Sequence, residues 1–178
     1  TRTGSEEMRF FTAVSYDQKV ADLTLNKLTL TNGKSPYYNG GAVYANDSTL
    51  TISYCTLSGN ETELIGGGIF SFYSDVTITK SNINGNKSYG GGGIYAEYGT
   101  ITIVDSTLSD NEALEWEGGG AYLNNATIGI NNAYIANNKG LLGGGLMIDN
   151  SQLSLINSVL SGNVGSEDSF GGGIYFVD

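Results

Sequence analysis

The sequence contains no histidine among its 178 residues. Histidine is the side chain that titrates closest to neutral pH, the commonest general base and the commonest transition-metal ligand. Serine and cysteine triads that depend on imidazole are therefore excluded. The Asp-x-Asp-x-Asp pattern of a calcium loop is missing too. We therefore expect neither a metal site nor a cofactor.

Cysteine and basic residues are also scarce. The single cysteine, Cys55, has no second thiol in the chain with which to form a disulfide. Lys and Arg number 8 against 18 Asp and Glu, which gives a net charge of −10. A surface of this sign repels phosphate groups, so we expect no nucleic acid as a partner. No apolar run is long enough for a membrane-spanning helix, so no direct membrane insertion is predicted.

Glycine, by contrast, is abundant, and its 27 copies are placed periodically. Five times, a pair or triplet of glycines is followed by a tetrad of the form Leu/Ile-x-x-Asn. In one coil the triplet is 91–93 and the tetrad is 108–111, and a last triplet stands at 171–173. A period of about 25 residues predicts a solenoid, in which each unit buries its apolar face against its neighbours.

One repeat, residues 91–117, shows what each coil contains. Ile94 and Ala96 are expected on one face of the first strand and Tyr95 on the other. A polar turn is expected at 97–99. Residues 100–103 alternate threonine with isoleucine, and a third short strand is expected at 106–108. We therefore predict an all-β fold: a right-handed, single-stranded parallel β-helix with three short strands per coil.

Inward positions recur with similar size from coil to coil, which supports this fold more strongly than the motif count. The predicted inward column of the first strand is Val43, Ile69, Ile94, Ala121, Leu146 and Ile174. An inward column of the second strand is Leu50, Val76, Ile101, Ile128 and Leu153.

Two regions are predicted along the chain. Residues 1–22 form an irregular N-terminal coil or cap, and residues 23–178 form one β-helix domain. The opening residues lack the layout of a signal peptide, and the last residues stop inside a first strand without a polar cap. Uncapped solenoid ends invite stacking. We therefore expect a part of a longer chain or of an assembly.

The polar feature that recurs most regularly is the asparagine that ends each tetrad. Asparagine tolerates the left-handed backbone of a tight bend, and stacked amides can hydrogen-bond along a column. We predict a structural ladder rather than a binding row. Its members are Asn60, Asn86, Asn111, Asn138 and Asn163.

Aromatic residues follow the inward residue of the first strand in most coils and should point outward as a ridge. Such a ridge is a platform for sugar rings or a partner surface, or a stack of rings shielded by the loops. Its aromatic members are Tyr44, Phe70, Tyr95, Tyr122 and Tyr175, with Met147 at the same position of one coil. Trp116, the only tryptophan, is a candidate loop contact, and a second acidic loop with an aromatic residue spans 164–170.

The glycine motif paired with a Leu/Ile-x-x-Asn tetrad, as in 40–44 and 57–60, resembles the repeat of the polymorphic outer-membrane protein family of autotransporter adhesins. Residues 28–33 and 49–60 resemble the wider set of bacterial surface proteins that carry this repeat. The resemblance covers residues 23–178, although the family tetrad often begins with Phe and here begins with Leu or Ile. It implies a secreted or cell-surface passenger-like bacterial module with an adhesive or structural role. The implied partners are a host or neighbouring-cell surface protein or glycan.

Two other functions remain open: a polysaccharide-degrading β-helix enzyme, either a lyase or a glycoside hydrolase, and a subunit of an end-to-end extracellular filament made of copies of this chain. Glycan-cleaving enzymes cluster carboxylates with defined separations. Here the outward carboxylates are scattered, and we expect a structural ion pair between Asp105 and Lys80 of the preceding coil. The sequence therefore favours a non-catalytic protein.

Overall fold

The computed structural model describes residues 8–17, 20–166 and 171–178, and every regular element within them is a β-strand. In these ranges there is no helix with the length and apolarity needed to cross a bilayer. The strands, in chain order, are β1 (Phe11–Val14), β2 (Ala21–Asn26), β3 (Thr29–Thr31), β4 (Val43–Asn46), β5 (Ser48–Ser53), β6 (Thr56–Ser58), β7 (Ile69–Phe72), β8 (Asp75–Thr79), β9 (Asn82–Asn84), β10 (Lys87–Ser88), β11 (Ile94–Val104), β12 (Thr107–Ser109), β13 (Glu112–Ala113), β14 (Ala121–Asn131), β15 (Tyr134–Ala136), β16 (Leu146–Asp149), β17 (Gln152–Ile156), β18 (Val159–Ser161) and β19 (Ile174–Val177).

All strands except β10 and β13 stack into three parallel ladders that wind through about six turns, and β10 and β13 form a separate parallel pair. The first ladder runs β1-β4-β7-β11-β14-β16-β19, and the third runs β3-β6-β9-β12-β15-β18. The second ladder joins β2, β5 and β8 to the later halves of β11 and β14 and then to β17. Equivalent residues of neighbouring coils are 25 to 27 positions apart along the asparagine column, whereas the step from Phe11 to Val43 in the first ladder is longer. The predicted right-handed parallel β-helix is confirmed.

The register of the first ladder matches the predicted inward column residue for residue. Val43 pairs with Ile69, Ile69 with Ile94, and the series continues through Ala121 and Leu146 to Ile174. The side chains from Val43 to Leu146 in this column are fully buried. Burial of each aliphatic side chain contributes about 2 kcal/mol, so this dry interior is the main stabilising element of the coil.

Among the described residues of the predicted N-terminal coil or cap, Phe11–Val14 form a regular strand. Strand β1 lies inside the predicted irregular range 1–22 and pairs in parallel with β4, so the first ladder begins at Phe11. The polar turn expected at 97–99 also differs, because β11 continues through it and Gly99 pairs with Ala126. The bend is made within the strand instead, by positive φ angles of 55° at Tyr98 and 108° at Gly99.

The left-handed residues of the bends are not the ladder asparagines. At the bend after the third strand, the residue with positive φ is the one before each asparagine. The asparagines themselves keep ordinary backbone angles, so the predicted left-handed role was assigned one position too late. The left-handed residues at this bend are Gly59, Gly85, Asp110, Asn137 and Gly162.

The three glycines of a triplet have separate roles. Gly91 has φ of +61°, a conformation that glycine adopts without steric cost. Gly92 and Gly93 have no such angle, but their α-carbons face backbone atoms of the stacked coils. An added Cβ at Gly92 would lie 2.5 Å from the carbonyl oxygen of Gly119. The triplet therefore combines one turn residue with two sites of close backbone approach.

One interior residue predicts a stabilising substitution. The Ser71 side chain is fully buried, and its hydroxyl oxygen has no hydrogen-bond partner. The residues paired with it in the adjacent coils, Ala45 and Ala96, show that alanine fits this column. An unsatisfied buried polar group costs about 1–3 kcal/mol. We expect Ser71→Ala to raise the free energy of unfolding by about 1 kcal/mol in urea denaturation.

A matched serine provides the control for that measurement. The hydroxyl of Ser81 donates to the Thr79 carbonyl oxygen at 2.7 Å and accepts from the Cys55 backbone N–H at 3.0 Å. Ser81→Ala removes both bonds and should lower the free energy of unfolding by about 1–2 kcal/mol. Equal losses in the two variants would contradict the assignment of Ser71 as an unsatisfied group.

Candidate binding site

The asparagine ladder is a closed hydrogen-bond system. The Asn111 amide nitrogen donates to the side-chain oxygen of Asn138 and to the Ile83 carbonyl oxygen, each at 3.0 Å. Its side-chain oxygen accepts from the backbone and side-chain nitrogens of Asn86, also at 3.0 Å. A primary amide offers two donors and an acceptor with two lone pairs, so nothing remains for a ligand. The predicted structural ladder is confirmed.

A column of alternating charge runs beside the ladder, and the sequence analysis missed it. Lys34, Glu61, Lys87, Glu112 and Lys139 occupy equivalent positions of successive coils. Lys34 lies 3.6 Å from Glu61, and Glu112 lies 3.0 Å from Lys87 and 3.5 Å from Lys139. The hydrogen bond from Lys87 is the main reason that the pKa of Glu112 is lowered. The signal was present in the sequence, because these residues follow each ladder position.

Asp105 and Lys80 do not form the direct ion pair that was expected; the pKa of Lys80 is raised mainly by its hydrogen bond with Tyr54, and the charge of Asp105 adds only a smaller effect. The Lys80 ammonium group donates to the Tyr54 hydroxyl at 3.2 Å and lies 5.4 Å from the centre of that ring. The Asp105 carboxylate instead accepts from the side-chain amide of Asn132 at 2.6 Å. Each side chain therefore contacts the coil on its other side.

Within the predicted aromatic ridge, the rings from Tyr44 to Tyr122 form a continuous stack, whereas Met147 lies between Tyr122 and Tyr175. Ring centres are separated by 5.1 Å between Tyr44 and Phe70, by 5.7 Å between Phe70 and Tyr95, and by 4.8 Å between Tyr95 and Tyr122. Neighbouring planes are inclined by only 14° to 18°. Phe70 and Tyr95 are nevertheless buried, with 7% and 9% of their surface exposed. The middle of the stack is therefore buried and is not the open platform that the alternation of the strand allowed.

Carboxylates hold the hydroxyl ends of two stacked tyrosines. The Tyr95 hydroxyl donates to Glu97 at 2.7 Å, and the Tyr122 hydroxyl donates to Asp149 at 3.2 Å. Burial, followed by these carboxylates and by Glu117, raises the pKa of both phenols far above the ordinary value. Both hydroxyls therefore stay protonated and remain hydrogen-bond donors at physiological pH.

The N-terminal end of the stack is covered by a cation of the chain itself. The Arg9 guanidinium carbon lies 4.8 Å from the centre of the Tyr44 ring and 6.0 Å from that of Tyr38. Its nitrogens donate to the Gly40 carbonyl oxygen at 3.1 Å and to the Thr12 hydroxyl at 3.0 Å. These distances are in the range of cation–π contact.

The loop that carries Trp116 closes a small cavity at the other end of the stack. The cavity has a volume of about 150 Å³ and is lined by Gly90, Tyr95, Trp116, Glu117 and Tyr122. Half of the tryptophan surface is exposed. The backbone of this residue is fixed on both sides, because its N–H donates to the Tyr89 carbonyl oxygen and its carbonyl accepts from Leu141.

Gly90 and Glu117 also line this cavity and were not among the predicted site residues. A Cβ on Gly90 would lie 3.1 Å from the Cβ and 3.2 Å from Cε3 of Trp116, so the indole packs directly over the glycine. The available signal was the run of four glycines at 90–93, whereas the other coils have two or three. The extra glycine makes room for the ring.

The structure brings together only part of the predicted site residues. Tyr95, Tyr122 and Trp116 meet at the cavity, whereas Tyr44 and Phe70 belong to the stack but do not line the cavity. Residues 167–170 of the second acidic loop lie outside the described residues. Within the described ranges, no group of three or more Cys, Asp or Glu side chains is arranged to hold a metal ion.

Comparison with known proteins bears on the fold. A family profile described as right handed beta helix region matches residues 12–125. No curated protein and no solved structure matches the chain. The matched region contains β1 to β13 and the start of β14, with all three ladders represented. Since it covers more than half of the sequence, the chain belongs to the right-handed β-helix family.

Proposed function

We propose that this protein is a non-catalytic extracellular β-helix module that binds a partner at a cell surface through the cavity beside Trp116. The observation that carries the proposal is a half-exposed tryptophan that lines one cavity together with the buried Tyr95 and the partly buried Tyr122 on a rigid rod. Large amphipathic rings fixed by their backbone contribute contact area at little entropic cost. The repeat's resemblance to autotransporter adhesins supports a secreted or cell-surface location on bacteria. The proposed partners are a surface protein or a glycan of a host or neighbouring cell.

The test is binding of the purified chain to arrays of glycans and of extracellular surface proteins. Trp116→Ala removes the exposed ring and should weaken any binding at least tenfold, the size expected when an aromatic residue central to an interface is removed. Tyr134→Ala is the matched control, because Tyr134 is similarly exposed but lies on the third-strand face. Equal binding by the two variants would place the contact elsewhere on the rod.

Two further measurements separate this proposal from its alternatives. Turnover of acidic polysaccharides by the wild-type protein would replace the binding module with an enzyme. Concentration-dependent polymers in electron micrographs, together with no partner binding on the arrays, would replace it with a filament subunit.

A further inference from the structure

The cavity beside Trp116 combines aromatic ring faces with negative charge. Tyr95, Tyr122 and Trp116 supply the rings, Glu117 supplies a carboxylate, and Gly90 completes the lining. We infer that this cavity binds an alkylammonium group, such as a lysine side chain or a quaternary ammonium head group. The inference rests on the proposed function, since it assigns the chemical class of what the binding site recognises.

Three carboxylates make the electrostatic potential of the cavity negative. Glu97 and Asp149 accept hydrogen bonds from the two tyrosine hydroxyls, so negative charge lies at the far ends of both rings. Glu117 lines the cavity itself and is close enough to raise the pKa of both phenols. The faces of aromatic rings are also negative, because of their quadrupole. An anionic or neutral polar group gains little in such a cavity, whereas a cation is stabilised by the rings and carboxylates together.

The same aromatic stack already holds a cation at its other end. The Arg9 guanidinium group lies over Tyr44, which stacks through Phe70 on Tyr95. Lys80 makes the same kind of contact with Tyr54 on another face of the rod. At the cavity the rings and carboxylate are present, but none of the five lining residues is basic. The missing positive charge is therefore expected to come from the partner.

The size of the cavity limits what enters it. Its volume of about 150 Å³ is smaller than the roughly 300–1,000 Å³ of ordinary small-molecule sites. A whole sugar chain or peptide does not fit, but one charged group at the end of a side chain or head group does. We therefore expect the cavity to bind a single terminal group of a larger partner.

Intrinsic fluorescence tests the inference directly, because Trp116 is the only tryptophan and lines the cavity. The chain is titrated with choline, with an N-acetyl-lysine amide, and with 3,3-dimethyl-1-butanol, the neutral counterpart of choline. We expect a saturable change with at least one of the two cations and at least tenfold weaker binding of the neutral alcohol. The ratio of the two cation affinities distinguishes a quaternary head group from a lysine side chain. Equal affinity for choline and the neutral alcohol, or no saturable signal with either cation, overturns the inference.

Two matched carboxamide variants test the role of charge. Glu117→Gln keeps the size of the side chain and should weaken cation binding at least threefold. Glu115→Gln removes the same charge from an exposed residue that does not line the cavity, and it should leave the affinity within about twofold once salt screens long-range effects. Equal weakening by both variants would show a general effect of net charge rather than a site.

The position of the indole is tested by Gly90→Ala. The added methyl group moves Trp116 by a few tenths of an ångström without removing a ring or a charge, so cation affinity should fall. The urea midpoint of Gly90→Ala is compared with those of the wild type and Glu117→Gln, to show that the variant is folded. Affinity equal to the wild type would contradict the arrangement of the cavity.

If no cation binds but Trp116→Ala still abolishes array binding, the ligand class is wrong and the binding module stands. If cations bind but the arrays give no partner, the ligand class of the cavity is right and the proposed binding module is wrong.

Discussion

Replacing Gly92 by alanine is expected to destabilise the protein by more than about 3 kcal/mol. An ideal Cβ at this position lies 2.5 Å from the Gly119 carbonyl oxygen and 2.6 Å from both the carbonyl carbon and oxygen of Glu112. All three are backbone atoms, one in the next coil and two later in the same repeat, so no side chain can rotate to relieve the overlap. Overpacking of well-packed sites typically costs about 1–3 kcal/mol, and a rigid backbone on both sides places this site at or above that range. Urea denaturation followed by circular dichroism measures the loss.

Gly129→Ala is the matched control, with an effect of the opposite sign. Gly129 lies within β14, its φ is not positive, and a Cβ there meets no heavy atom within 4 Å. Alanine at such a position restricts the unfolded chain and should stabilise the protein by about 0.5–1 kcal/mol. If Gly92→Ala is as stable as Gly129→Ala, the triplet is a flexible turn and not a site of close coil-to-coil contact.

Asn111→Ala is expected to cost about 4 kcal/mol, which is exceptional for one polar side chain. The side chain of Asn111 is fully buried and takes part in four hydrogen bonds. Its removal leaves both nitrogens of Asn86 and the Ile83 carbonyl oxygen without these partners in the dry interior. Each unsatisfied buried group costs about 1–3 kcal/mol. The expected result is a large drop in the urea midpoint.

Asn82→Ala provides the comparison for that result, because Asn82 points outward from the neighbouring third strand and is exposed. Surface substitutions of this kind usually stay within about 0.5 kcal/mol. A cost below about 1 kcal/mol for Asn111→Ala would mean that the ladder contributes little to stability. Asn111→Asp separates hydrogen bonding from size, because the carboxylate accepts but does not donate. It should be at least as unstable as the alanine variant.

The interior of the rod was predictable from the sequence because two periodicities coincide. Alternation with period two assigns Ile101 and Ile103 to one face, and the repeat places Ile128 and Ile130 directly beside them. Neither rule depends on loops or on side-chain conformation. Columns of similar residues therefore determine the register of the ladders.

The polar details were less predictable, because one residue type satisfies several roles. Asparagine is suited both to left-handed bends and to ladders, and the sequence alone did not show that Gly85 takes the bend while Asn86 takes the ladder. The register placed Lys80 and Asp105 in adjacent coils but did not show that Lys80 turns towards Tyr54. A long side chain on a solenoid has a neighbouring coil on each side, and its rotamer determines which of the two coils it contacts.

The cavity beside Trp116 lay beyond sequence reasoning for another reason. Loops between coils have no period, so no column predicts where residues 114–117 fold. The aromatic alternation predicted that Tyr95 points out of the coil, but whether it meets solvent or Trp116 depends on the loop path. Binding sites on regular scaffolds commonly arise in such connecting segments.

The alternating column from Lys34 to Lys139 constrains how the rod can change length. Removing one complete turn from its middle brings two side chains of like sign together, whereas removing two turns restores opposite neighbours. The free-energy cost of each pair of like charges is modest, because exposed pairs contribute at most about 1 kcal/mol. Every shift by an odd number of turns nevertheless creates such a pair. Insertions and deletions within this stretch are therefore favoured in steps of two turns, or roughly 10 Å of rod.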